Sequence, residues 1–302
     1  MDSLRTADPE ASAISSSEKG ETDRSQWTKI ITPERSWLHI NFGELWRYRD
    51  LVVLFVWRDF VATYKQTILG PAWFFISPLM TSVVFTIVFG KIASIPTDGM
   101  PPFLFYLSGT VCWGYFARCI GETSNVFSAN IHLFGKVYFP RLSIPVASVL
   151  SSGIRFLIQG SILLGFVFYF FVKGAPISAN IWSMFVPLLA LQAGIVGMAA
   201  GIVISSLTTK YRDLNHFVHF GVQLWMYATP VVYPLSQIPE RYRPLSLINP
   251  MVPVVEGFRK GLLGTGTVTP GQMAVSLFLT ALLLLAGLML FTRTENTFMD
   301  RV

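Results

Sequence analysis

The chain runs to 302 residues, 52% of them hydrophobic and only 13% charged, where a soluble domain carries about 25% charge. That balance excludes a soluble core and points to an integral membrane protein. The formal charge of +6 arises from 23 basic and 17 acidic side chains, and ten of the acids precede residue 60. The remainder is distinctly basic, as loops facing anionic lipid headgroups are, and no nucleic-acid partner need be invoked.

Residues 1–26 are rich in Ser, Glu and Asp with almost no large apolar residue, and predict a disordered cytoplasmic tail. No apolar h-region precedes a cleavage site there, so no cleaved signal peptide is expected. In NFGELWRYRDLVVLFVWRDF, Asn41 is a candidate N-cap with Glu44 three residues on. Leu45, Tyr48, Val52 and Phe55 share one helical face, while Arg47, Asp50, Arg58 and Asp59 supply a charged one. The longest apolar run, Leu51–Trp57, is far short of the ~20 residues a span needs. Residues 41–60 therefore read as an amphipathic helix lying in the membrane interface, with Trp46 and Trp57 at headgroup depth.

Six spans follow. The first, about 68–90, is free of charge; Pro71 suits its entry and Pro78 should kink it. The second, about 103–126, contains Cys112 and Cys119, which cannot pair within one helix and read as small packing residues. It ends on Arg118 and Glu122, an i, i+4 pair expected near the cytoplasmic end. The third, about 147–172, has Arg155 two turns in from the same side. The fourth, about 180–207, carries Gly194, Gly197 and Gly201 at a spacing that allows close helix packing. The fifth covers about 217–235 and the sixth about 270–292, leaving a cytoplasmic tail, 293–302.

Between the second and third spans lies NIHLFGKVYFPRLSIP, too polar and proline-bounded to cross a bilayer; its charges, Lys136 and Arg141, place it in the cytoplasm. Phe134, Lys136, Tyr138, Phe139 and Arg141 combine aromatic anchors with cations, as interface hot spots do. The loop is a place for a partner protein to push, or an ordinary connection between two helices. After the fourth span, Tyr211, Arg212 and Asp213 put an acid beside a base on a short loop, a candidate clamp for two helix ends at the inner mouth.

The segment Ser236–Gly264 mixes four basic residues with a twelve-residue uncharged centre, Pro244–Val255. It is too short to span and is broken by prolines, and predicts two short helices dipping back from the outer surface. Asn249-Pro250 marks the break between them. Glu256, Arg259 and Lys260 then follow at one-turn spacing, able to pair with each other or with lipid phosphates. In this topology fifteen basic residues fall inside and six outside, with Arg118 and Arg155 at helix ends. Both termini are then cytoplasmic.

There is no G-x-x-x-x-G-K-[ST] phosphate loop, and the four histidines show no paired-ligand spacing. Only five acids lie between residues 60 and 292, and none is expected in mid-membrane, so proton coupling has no carrier. No catalytic residue, metal site or cofactor is assigned, and energy must come from elsewhere.

Five motifs in order, TILGPAW (Thr67–Trp73), FGKVYFPR with SIP after it, KYRD (Lys210–Asp213), TPVVYP (Thr229–Pro234) and INPMVPVVEGFRKGLLG (Ile248–Gly264), resemble the type-2 ABC transporter permeases that export polysaccharides, especially the O-antigen and lipopolysaccharide branch. The resemblance covers about residues 30–302 and implies an all-α membrane domain over 68–292, with six transmembrane helices, the interfacial helix and an outer re-entrant hairpin between spans 5 and 6. It further implies a homodimer in the bacterial inner membrane, docked to a separate ATP-binding subunit and enclosing a path for an undecaprenyl-linked glycan. By likeness, Asn130–Arg141 is the coupling helix. Ser236–Gly264 forms the periplasmic gate, with Asn249, Pro250, Glu256 and Arg259 at its centre. Aromatic faces stack on sugar C–H faces without fixed hydrogen bonds. Candidates for a glycan lining are Trp73, Phe74, Phe85, Phe89, Tyr106, Trp113, Tyr115 and Trp225, at least half of which are expected in helix packing or the lipid belt. A capsule or teichoic-acid exporter, a membrane-embedded enzyme acting on lipid-linked sugars, and a scaffold for glycan assembly are the competing readings.

Overall fold

The computed structural model describes residues 42–65, 70–130, 139–178, 180–208 and 214–299, and every regular element among them is helical. A turn of helix, Phe42–Arg47, breaks at Tyr48 and continues as α1 (Arg49–Tyr64). Val52 and Phe55 are buried and Leu45 and Tyr48 pack beside them, as the face count predicts, while Arg47, Asp50 and Arg58 are exposed. Trp46, Val53, Leu54 and Trp57 are exposed too, so the helix is apolar on a second side. The expected cap, Asn41, lies outside the described residues.

Helix α2 (Trp73–Phe85) keeps Pro78 in its interior and passes into a π-helical stretch, Thr86–Ile92. Pro78 has no N–H for the carbonyl four residues back, which leaves Phe74 O without its helical donor. Gln159, from the neighbouring α4 (Ser143–Val172), supplies one: its Nε2 donates to Phe74 O at 3.2 Å.

Helix α3 (Pro102–Ser124) starts with proline at its first position and is buried over most of its surface, with Leu104, Tyr106, Phe116 and Ile120 fully enclosed. Its closest neighbour is α5 (Val186–Thr208). A Cβ on Gly197 would stand 2.6 Å from Cys119 Cβ and 2.8 Å from Phe116 O, and those on Gly194 and Gly201 would collide with Tyr115 and Thr123. Three glycines thus bring the two backbones together, as the spacing predicts. Cys112 and Cys119 are buried free thiols.

After α6 (Leu214–Tyr227), the chain makes a 3-10 turn, Leu235–Gln237, and a helical turn, Arg243–Ser246. It then enters α7 (Met251–Leu263), which packs on α3, α5 and the closing helix α8 (Pro270–Met299). Among the described residues, four helical stretches are long and apolar enough to cross a membrane: 72–92, 143–172, 181–208 and 270–294. They coincide with the expected first, third, fourth and sixth spans. Helix α3 is long enough at 23 residues but is diluted by Ser, Thr, Gly, Arg118 and Glu122; α6 is only 14 residues long.

Candidate functional site

Two buried polar latches mark opposite ends of the bundle. At the α7 end, Asn249 Oδ1 accepts from the backbone N–H of Met251 at 3.0 Å and Asn249 Nδ2 donates to Thr229 Oγ1 at 2.8 Å, so the residue before the proline caps the new helix. The break expected at Asn249-Pro250 is where α7 begins. Ser276 of α8 donates to Pro250 O at 2.6 Å, and Gln192 of α5 donates in turn to Ser276 Oγ at 2.8 Å.

Arg259 and Glu256 are each 1% exposed, so of the two expected pairings they make the one with each other, and the one with lipid phosphates is corrected by their burial. Arg259 Nη1 and Nη2 donate to Pro230 O and Val231 O, both at 2.6 Å, and its guanidinium stacks 3.7 Å over the Phe105 ring. Glu256 Oε1 lies 3.4 Å from Arg259 Nη1 and accepts from the Leu235 N–H at 3.1 Å. The turn Thr229–Val232 carries carbonyls that no helix satisfies, and Arg259 satisfies two of them. Gly109 leaves room for this, since a Cβ there would stand 2.6 Å from Arg259 Nη2. Lys260 turns away, donating to Val268 O at 2.8 Å with Nζ over the Trp182 ring. Ser236 donates to Asp98 Oδ1 at 2.8 Å, joining this segment to the loop before α3.

At the other end, Glu122 of α3 does not take Arg118 as its ion-pair partner; the expected i, i+4 pair gives way to one across helices. Arg155 Nη1 reaches Glu122 Oε1 at 2.6 Å and Ser152 Oγ donates to Glu122 Oε2 at 2.7 Å. Two groups from α4 engage both oxygens in fixed geometry, where a same-helix arginine offers a weak, flexible pair. Arg155 Nη2 also reaches Asp59 O at 3.4 Å, tying α1 to the junction. Arg118 Nη2 instead donates to Gln159 Oε1 at 3.4 Å. This junction borders a separate apolar cluster in which Val52 and Phe55 of α1 meet Val126, Phe127, Phe139, Ile144 and Phe291.

Of the candidate coupling residues, Phe139 and Arg141 are buried, and Phe139 packs edge-on to Phe55 at 5.8 Å. Phe134, Lys136 and Tyr138, and the clamp candidates Tyr211, Arg212 and Asp213, lie outside the described residues. Among the lining candidates, Trp73 is exposed, but Phe74, Tyr106, Trp113 and Tyr115 are core residues. Tyr106 contacts Phe85 and Phe105, and Trp113 contacts Phe116 and Trp225. These four rings are packed among helices, as at least half of the lining candidates were expected to be. Trp225 is half-buried and lines an open cleft of about 520 Å³ with Tyr242, Leu245, Ile248 and Asn249. The residues missed in the sequence are Gln159 and Ser152. The interior proline and the uncapped Phe74 carbonyl were the available signal for the first.

Long apolar helices, joined by the polar latches at their ends, define a multi-pass helical membrane protein. Residues 50–263 match the ABC-2 type transporter family, and the chain belongs to it. It is 28% identical over 260 residues to the O-antigen export system permease protein RfbA of Klebsiella pneumoniae, covering 86% of this chain and 96% of that one. The protein of the same name from Myxococcus xanthus is 29% identical over 220 residues, 72% of this chain and 81% of its own. The inner membrane transport permease YadH of Escherichia coli (strain K12) is 23% identical over 201 residues, 64% and 77% of the two chains.

Proposed function

We propose that this chain is the permease subunit of an ABC exporter that moves a lipid-linked polysaccharide, O-antigen foremost, across the bacterial inner membrane using ATP hydrolysed by a separate subunit. The observation that carries this reading is the similarity along 86% of the chain, and nearly the whole of the relative, to an O-antigen export permease. The subunit has six spans, with α3 and α6 completing the four long apolar helices, both termini in the cytoplasm, and a homodimer around the path. Burial of α3 on almost every side supports its place as a central span, because an internal helix needs no lipid-compatible surface.

Within that reading, the loop ending at Phe139 and Arg141 receives motion from the ATP-binding subunit. Phe139 passes it to α1 through Phe55, while Phe134, Lys136 and Tyr138 make the outward contact. Tyr211, Arg212 and Asp213 clamp the inner mouth. At the far end, Ser236–Gly264 is the outer gate. Arg259 and Glu256 fasten α7 to the Pro230–Leu235 turn, so the gate's movable part is the stretch before Asn249, whose Tyr242, Leu245 and Ile248 are exposed. Trp73 and Trp225 remain the candidates for contact with the glycan.

The test is co-reconstitution with the ATP-binding subunit in proteoliposomes carrying an undecaprenyl-linked glycan. Export that requires ATP and both subunits supports the reading. ATP hydrolysis without any glycan movement, across O-antigen, capsule and teichoic-acid lipids, rules it out.

A further inference from the structure

Among the described residues, the junction of α1, α3 and α4 holds more positive charge than its carboxylates neutralise. Glu122 has both oxygens engaged, by Arg155 and Ser152, and the neighbouring Arg58 and Asp59 pair with each other at 2.8 Å. Arg118 has only a long bond, 3.4 Å, to the neutral Gln159, and its Nε is buried without a hydrogen-bond partner. A guanidinium held this way among apolar helices calls for an anion.

Space for one lies beside it. Gly114 and Gly121, four residues before and three after Arg118, share its helical face, and a Cβ on either would meet nothing within 4 Å. Arg118 itself is partly exposed. The open side of α3 therefore runs along these glycines and past Arg118, which lies about 9 Å from the helix end at Ser124 by the rise per residue. That depth suits a headgroup, and a smooth, side-chain-free furrow suits an alkyl chain.

We propose that Arg118 anchors the phosphate of an anionic lipid headgroup, with the chain lying along the Gly114–Gly121 furrow. A guanidinium fork matches phosphate oxygens in a bidentate fashion and is weakly hydrated, so it gives up water at low cost. Glu122 does not repel the ligand, because Arg155 and Ser152 already neutralise and occupy it. Binding at this site stands apart from export: it requires a phosphate-bearing lipid, whether or not that lipid carries a glycan.

The experiment is native mass spectrometry of the purified protein released from phosphatidylcholine nanodiscs doped with a polyprenyl diphosphate or with phosphatidylglycerol, with inorganic pyrophosphate added in a parallel arm. Wild type is expected to retain the doped lipid. Arg118→Gln should reduce retention about tenfold and Arg118→Lys by less, since lysine keeps the charge but loses the fork. Arg58→Gln, which removes the same charge from an exposed site, should retain lipid as wild type does. Gly121→Leu fills the furrow and keeps the Arg118 guanidinium, and should lose lipid while still binding pyrophosphate. Thermal unfolding of each variant identifies a folded sample. Wild-type retention by folded Arg118→Gln overturns the proposal. So does pyrophosphate binding with no lipid retained by wild type, which makes this a site for a free anion.

Discussion

Arg259 shows how one side chain can hold three segments at once. Its two 2.6 Å bonds to Pro230 O and Val231 O, the Phe105 ring beneath it and the Glu256 carboxylate leave the guanidinium buried and compensated. Removing one member of a buried charged pair strands the other, at about 3–5 kcal/mol. Arg259→Ala should therefore lower the Tm in detergent sharply, and Arg259→Met combined with Glu256→Gln should recover part of the loss. A Tm unmoved by Arg259→Ala would mean the latch contributes nothing to stability. Pro78 and Gln159 offer a cleaner test. Gln159→Leu takes the Gln159 donor away from the buried Phe74 carbonyl, at a cost of up to about 1–3 kcal/mol, whereas Pro78→Ala restores the helical N–H to that same oxygen. The double variant should be more stable than Gln159→Leu alone, a coupling that a double-mutant cycle measures directly.

At the scale of elements, a close helix contact made by α5 was legible in the sequence because it depends on a local repeat. Gly194, Gly197 and Gly201 recur on one helical face, and side-chain-free backbone there has little use except close approach. Which helix they approach was not legible, since the partner's Cys119 and Thr123 carry no matching signal. Gly197→Val should overpack the contact and destabilise the fold by roughly 1–3 kcal/mol, while Gly121→Ala, facing open space, should leave the Tm within error. Helix α1 was equally readable on its buried side, where Leu45, Tyr48, Val52 and Phe55 follow the helical period. Its link to the loop end was not, because the Phe55–Phe139 contact joins residues far apart in the chain. If that contact transmits motion, Phe139→Ala should cut export in proteoliposomes severalfold while the ATP-binding subunit still copurifies; loss of copurification would place Phe139 in docking instead.

For the whole molecule, the proposed orientation puts Arg58 and Arg241 on opposite sides of the membrane. The native thiols at Cys112 and Cys119 are buried, so single cysteines introduced at Arg58 and Arg241 should label with a membrane-impermeant reagent from opposite faces. Labelling of both from one side would overturn the six-span topology. The gate reading makes a second whole-molecule prediction. Cysteines placed in the 236–249 stretch of each subunit, once cross-linked, should stop export while ATP hydrolysis persists, and export at the normal rate would make that stretch a fixed plug.

What the sequence determined by itself is whatever a short stretch of chain decides alone. Long uncharged runs must leave water, which marked spans at about 68–90, 147–172, 180–207 and 270–292, where the long apolar helices 72–92, 143–172, 181–208 and 270–294 stand. A proline ends or opens a helix through its own missing N–H and its neighbour's restricted backbone, which set the start of α7 at Asn249-Pro250. What only the tertiary structure decided is which distant groups the buried charges meet and which aromatic rings pack in the core. Glu122 had Arg118 one turn away and bonded to Arg155 instead, 33 residues on. Arg259 looked like a surface cation and is in the core. Tyr106 and Trp113 looked like a lining and are packing. An ion pair or a ring contact depends on which faces of distant helices meet, and helical period states which residues share a face without stating what that face will touch.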